Sequence, residues 1–267
     1  MQEYFFIAVS TRKNLEICER YTCAGFPNTI NGVWAYLDIN VGDYLSFLYG
    51  AKAYNLYEVV KKEAVKNPHT LPPPWEPLSH VSGKTYHFPF RLHLKLWREF
   101  EESLAKPEFM YVAENLLQRG GYRKTHFQAD QTTLQNVSQM GQRSESEEYE
   151  TNMPPYETFT PKFARIKKID SPEIYPLREV ILQSIIRQYL SQPENLRNFL
   201  KELGLEKLAS RKFEVLGEKA LPRGYVDIII KEAEPVGEIK QIIIEVKLGR
   251  ASKDDITQLE HYVEEIG

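Results

Sequence analysis

The chain has 267 residues, of which 42% are apolar, 27% charged and 12% aromatic, with a formal net charge of -3. That length suits two domains of about 100–200 residues each, and the slight negative charge does not advertise a nucleic-acid binder, although a net value can hide a basic face. Cys18 and Cys23 are too few for a zinc cluster and read as free thiols of a reducing compartment. The apolar runs Ile228–Ile230 and Ile242–Ile244 are strand-length, far short of the roughly 18 residues of a membrane span, and the N-terminus lacks the basic-then-apolar order of a signal peptide. A soluble cytoplasmic protein without membrane contact is expected.

Tyr4–Val9 reads as an apolar strand and Arg12–Tyr21 as a short helix. Tyr44–Tyr49, after the turn Val41-Gly42-Asp43, alternates like a half-buried strand, and Tyr54–Lys61 and His87–Leu96 are further strands. Between the last two lies the loop Leu71-Pro72-Pro73-Pro74-Trp75. Glu108–Arg119 reads as a helix stopped by Gly120-Gly121. Residues 1–140 thus predict a small, mixed, sheet-dominated domain. Residues 141–172 open with a polar, acidic stretch with Pro154-Pro155, which cannot bury enough apolar surface to offset its ordering entropy and reads as a linker or mobile loop.

From residue 173 the order changes. Leu177–Ser191 has helical apolar spacing, and a second helix runs from Pro193 to a stop at Gly204. Strands follow at Lys212–Leu216, Tyr225–Lys231 and Gln241–Leu248, then a helix at Asp254–Ile266, an α/β order.

Two of these strands carry charges where burial disfavours them. Asp227 interrupts Tyr225–Lys231, and Glu245 and Lys247 interrupt the third strand. Alternation puts Glu245 and Lys247 on one face, and a hairpin turn centred near Val236 would set Asp227 almost opposite Glu245. Mg²⁺ takes one or two carboxylates plus water and phosphate, so Asp227 and Glu245 suit Mg²⁺ or Mn²⁺. An adjacent Lys247 can orient the attacking water or neutralise developing charge during phosphodiester hydrolysis. The blander account is a solvated sheet face with alternating Glu and Lys.

The pattern Arg223-Gly-Tyr-Val-Asp227, Ile-Ile-Glu245-Val-Lys247, Gln258 and Tyr262 resembles the PD-(D/E)XK nuclease superfamily, and within it the archaeal NucS-type endonucleases. The resemblance covers about residues 174–267. It implies a restriction-endonuclease-like α/β core, with Gln258 and Tyr262 on one helix face beside metal and scissile phosphate. It also implies an acidic residue on an earlier helix. Glu194 is the best positional match, though a first-turn Glu is favoured by the helix dipole alone, and Glu173, Glu179 and Glu202 are alternatives. The family core continues with further strands, whereas this sequence stops at Gly267, so a truncated or shortened domain is expected.

In the first half, Tyr4–Val9, Gly32-Val33-Trp34-Ala35, Val41-Gly42-Asp43 and Phe127–Leu134 resemble the PUA-like EVE and YTH domains over residues 3–140. This implies a small β-barrel with helices and a pocket for a flipped, modified base. Trp34 and Trp75, both read as loop residues, would stack on it, with core anchoring as the alternative for each. Ser10 and Asp130 are candidate edge contacts. Arg119, Arg123 and Lys124 are candidate phosphate contacts, or else a solvated turn. Trp97, His87 and His93 read as structural. No P-loop, GxGxxG after a strand or GxSxG occurs, so no ATP site is expected.

Together these readings predict a modification-dependent DNA endonuclease, with a homodimer called for if both strands are cut. The alternatives are a NucS-like structure- or mismatch-specific endonuclease, and a DNA- or RNA-binding module with an inactive nuclease domain.

Overall fold

The computed structural model describes residues 2–50, 52–79, 83–100, 125–144, 155–169, 173–221, 224–233 and 241–266. Among these it is a mixed α/β protein with six α-helices. The first half is built on one sheet in the order β2 (Cys23–Phe26), β7 (Phe90–Glu99), β4 (Lys52–Val65), β3 (Tyr44–Tyr49), β1 (Tyr4–Ala8) and β8 (His126–Ala129). β1 runs parallel to β3, and the other pairs along this path are antiparallel. Period-two alternation sorts β1 between two cores. Phe5 and Ile7 join Phe47, Tyr57 and Phe90, while Tyr4 and Phe6 join Leu48, Leu56 and Phe127.

Helices α1 (Arg12–Arg20) and α2 (Ile30–Asp38) start on the threonine caps Thr11 and Thr29, which accept from the amides of Asn14 and Gly32. A Cβ at Gly32 would lie 1.8 Å from the carbonyl oxygen of Pro27, so only glycine fits there. The segment around Trp34 is therefore helix and not the expected loop. Glycine inside a nine-residue helix obscures its pattern. The expected helix Glu108–Arg119 lies outside the described residues.

The sheet does not close into the expected barrel: among the described residues β2 and β8 remain separate edges. The outer side of β8 is turned to the second half. The Gln128 side chain donates to the carbonyl of Val215 (3.2 Å) and accepts from the amide of Gly217 (2.9 Å), bridging β8 to β13 (Phe213–Leu221).

Residues 155–169 do not behave as a simple linker. β10 (Thr158–Phe159) pairs with β4, and the Tyr156 hydroxyl donates to both carboxylate oxygens of Glu63, at 2.7 and 2.9 Å. β11 (Lys162–Ala164) pairs with β12 (Ile174–Pro176), and Tyr175 is buried in the first core. β9 (Gln142–Arg143) pairs with β7. A short hairpin, β5 (Leu78–Ser79) and β6 (Thr85–Tyr86), stands apart.

The second half stacks helix, sheet and helix. Helix α3 (Gln131–Ser138), capped by Asp130, leads away from β8. Then α4 (Glu179–Ser191) and α5 (Pro193–Glu202) pack Leu190, Leu196 and Leu200 against Val215, Ile228 and Ile230. Gly204, at φ +71°, closes α5 as its amide binds the carbonyl of Lys201 and Leu205 binds that of Leu200. Strands β13, β14 (Gly224–Glu232) and β15 (Gln241–Ile244) form an antiparallel meander, with α6 (Lys253–Ile266) across Leu216, Ile229 and Ile243.

The two halves are joined through α4. Fully buried Arg187 pairs with Glu3, binds Asp38 Oδ1 through Nε at 3.0 Å and donates to the Asp38 carbonyl at 2.7 Å. His126 Nε2 lies 2.9 Å from Asp38 Oδ2, and Ser191 donates to Glu3 at 2.7 Å. Burial would lift the Asp38 carboxyl, but Arg187 and His126 outweigh it and hold it below the usual range.

Replacing Arg187 with methionine strands two buried carboxylates. A loss of about 3–5 kcal/mol is expected in denaturant unfolding, whereas Ile185→Ala, at an exposed position of the same helix, should change stability by less than about 0.5 kcal/mol. The Glu63 cluster gives a pH test. Burial would raise its carboxyl, but hydrogen bonds from His93, Lys61 and Tyr156 hold it at about 2. Its contribution is present above the unfolded value, about 4.3, and is lost as pH falls towards 2. The stability difference between wild type and Tyr156→Phe should therefore be full at pH 7 and shrink towards zero below pH 3, as read by thermal melts.

Candidate functional site

The β14–β15 register pairs Ile228 with Ile244 and Ile230 with Ile242. The pairing ends there, one residue short of Asp227 and Glu245; continued by one step, the same register would set these two opposite each other. β15 ends at Ile244, so Glu245 and Lys247 stand on the chain just beyond the strand and not within it. The amide of Val246 donates to Asp227 Oδ2 at 2.6 Å, which fixes this carboxylate against the strand exit. Lys247 Nζ lies 2.9 Å from Glu245 Oε1 and 3.3 Å from Asp255 Oδ1, and these two carboxylates raise its pKa, Glu245 foremost.

Asp255 was not legible as a site residue. The stretch Ser252-Lys253-Asp254-Asp255 signals a helix start, and the reciprocal bonds between Ser252 and Asp255 form that capping box. The other carboxylate oxygen of Asp255 holds Lys247, which only the fold shows.

The acidic residue brought in from an earlier helix is Glu179 and not Glu194. Glu179, in the first turn of α4, accepts from the amide of Leu248 at 3.4 Å and acts on the titration of Asp227. Glu194 is exposed in the first turn of α5. On α6, Gln258 donates to the hydroxyl of Tyr262, and Tyr262 is buried against Val226 and Ile229. Gly224 leaves room for this ring: a Cβ there would lie 2.6 Å from the Tyr262 hydroxyl.

Burial pushes the Asp227 carboxyl up to about 6, against the Val246 bond and with help from Glu245. Glu245 Oε2 is buried without a hydrogen-bond partner among the described residues. An anionic acceptor in that state is what a cation would satisfy. The pair fits Mg²⁺, which needs few protein carboxylates. It is not a closed cage: among the described residues no group of three or more His, Cys, Asp or Glu is arranged to hold a metal ion.

The candidate base-binding residues do not converge. Trp34 is buried in α2, donates its indole N–H to Ser184 Oγ at 2.8 Å and packs edge-on against His126. Trp75 lies over Gly25, 2.6 Å from a Cβ placed there, and contacts Phe88 and Arg91. Asp130 is spent on the α3 cap and on Lys231 at 3.1 Å. Ser10 is exposed and accepts from Asn14. Arg119, Arg123 and Lys124 lie outside the described residues. His93 binds Glu63, and Trp97 packs on Tyr44 under Arg143, both structural as expected.

No family model matches this chain, and no curated protein matches it either. No helix among the described residues is long and apolar enough to cross a membrane.

Since the folded state disfavours ionised Asp227, its charge costs stability at pH 7. Asp227→Asn is expected to melt at or above the wild-type temperature at pH 7. The gain should fade below pH 6, where the wild-type carboxyl takes up its proton. A lower melting temperature for the variant at pH 7 would contradict this account.

Proposed function

We propose that this chain is a Mg²⁺- or Mn²⁺-dependent nuclease centred on Asp227, Glu245 and Lys247. The observation that carries the reading is the Asp227 carboxylate bound by the Val246 amide just past the end of the hairpin register, with Glu245 near enough to act on its titration and one Glu245 oxygen buried without a hydrogen-bond partner among the described residues. A divalent ion bound there would stabilise charge on a phosphate oxygen and acidify a coordinated water. Asp227 and Glu245 would supply its protein oxygens, and Glu179 could bind through water. The Val246 amide orients Asp227. Lys247, held charged between Glu245 and Asp255, can neutralise the phosphate or orient the attacking water. Gln258 and Tyr262, bonded to each other on one face of α6, would lie beside this centre as the family resemblance implies.

The substrate we propose is DNA. In the first reading the N-terminal half, by its likeness to EVE and YTH domains, recognises a modified base and the second half cuts nearby, as a homodimer where both strands are cut. Trp34 and Asp130 already have protein partners, which favours a second reading. There the first half is a scaffold, and DNA structure or a mismatch directs the cut.

Cleavage of modified, unmodified, mismatched and flap duplexes with Mg²⁺ or Mn²⁺ separates these readings. Asp227→Ala and Lys247→Ala are expected to lose about 100-fold or more in rate, and Glu179→Gln should lose more than Glu194→Gln. Undiminished cutting by Lys247→Ala would remove the basis of the proposal.

A further inference from the structure

We propose that Gln183 is a positioning residue for Asp227, and that through it α4 ties the candidate centre to the N-terminal half. The inference rests on Asp227 belonging to that centre. Gln183 is buried, and its side-chain amide donates to the main-chain carbonyl of Asp227 at 2.6 Å.

The strand register passes over Asp227 on both sides. With β13 it steps from Gly217 and Ile228 to Lys219 and Val226, omitting Glu218, whose φ is +56°. With β15 it ends at Ile228 and Ile244. A backbone carbonyl in a buried setting needs donors, and Gln183 gives one to that of Asp227. Asp227 is thereby held at two points, its carbonyl by α4 and its carboxylate by the Val246 amide.

The seat of Gln183 is decided in the other half. Glu179, Gln183, Arg187 and Ser191 recur every four residues, one stripe along α4. The stripe begins at the candidate centre and ends on Glu3 and Asp38. Next to Gln183, Ser184 accepts the Trp34 indole, and Gln188 donates to the carbonyl of Leu37. Gln183, Ser184 and Arg187 share the wall of a small polar cavity with Trp34, Asp38 and His126, about the size of one water. His126 Nδ1, in that wall's ring, is buried without a hydrogen-bond partner among the described residues. A shift of α2 against α4 would move the amide that holds Asp227.

The test uses the full chain and a reporter that needs no metal, the backbone amide of Val246, followed by ¹H–¹⁵N NMR. Gln183→Met keeps the side chain's length and removes its donor. In this variant the Val246 amide should move upfield and exchange about 10-fold faster, while the amides of Ile230 and Ile242 in the same sheet keep their shifts and protection. Trp34→Phe keeps a ring but removes the bond to Ser184, and should give a smaller change of the same sign. Calorimetric titration with Mg²⁺ should show about 10-fold weaker binding by Gln183→Met. An unaltered Val246 amide in Gln183→Met would overturn the positioning role, and an unaltered one in Trp34→Phe would overturn the tie to the first half. If the amide responds as expected but wild type takes up no Mg²⁺, the positioning stands and the nuclease reading falls.

Discussion

Arg187 is the group on which the arrangement of the halves depends. It is removed from water together with Glu3 at the start of β1 and Asp38 at the end of α2. Each partner alone would be costly to bury, and together, with His126 and Ser191 completing the acceptors, they are satisfied. The triad fixes where α4 lies on the first half. Because α4 also forms one wall of the second half, a polar contact far from the candidate centre sets the frame in which it sits. Gly217 belongs to the same constraint. A Cβ there would lie 3.0 Å from the Arg187 side chain, tighter than ordinary contact, so a larger residue in β13 would press on the guanidinium stem.

The candidate centre shows the opposite balance. Asp227 is held where burial and a second carboxylate oppose its charge, and Glu245 keeps a buried oxygen unpartnered. Asp38 and Glu63 are treated differently, being surrounded by donors that keep them ionised, whereas burial and the neighbouring Glu3 push the Asp43 carboxyl up as burial does that of Asp227. Lys247 offsets part of the charge at the centre and is itself held by two carboxylates.

The contrast between the two halves of the sequence reading has a physical cause. Asp227, Glu245 and Lys247 stood out because each breaks an apolar strand, and a hairpin's register follows from where its turn is centred. Trp34 and Trp75 stand out as aromatic residues read as lying in loops, a property shared by cage walls and core anchors. Which role applies depends on what lies opposite. For Trp34 that is Ser184, 150 positions away in sequence. The open sheet has a similar origin, since the edge that a barrel would close with β2 is bridged by the Gln128 side chain to β13 instead.

Local sequence by itself determined most of the helices and strands, the Gly204 stop, the capping box at Ser252 and the nearness of Asp227 to Glu245. These rest on interactions within a few residues or across one tight hairpin, where periodicity and turn chemistry suffice. Only the tertiary structure decided that Glu179 and not Glu194 reaches the centre, that Asp255 shares Lys247, and that residues 155–169 pack on β4. It also placed Gln183 under Asp227. Each of these pairs groups on elements far apart in the chain, and the side chains involved carry no local signal of their partner. In that sense the three residues of the candidate centre are written in one hairpin and the chain just after it, while what holds Asp227 in place is written in how α4 meets the rest of the protein.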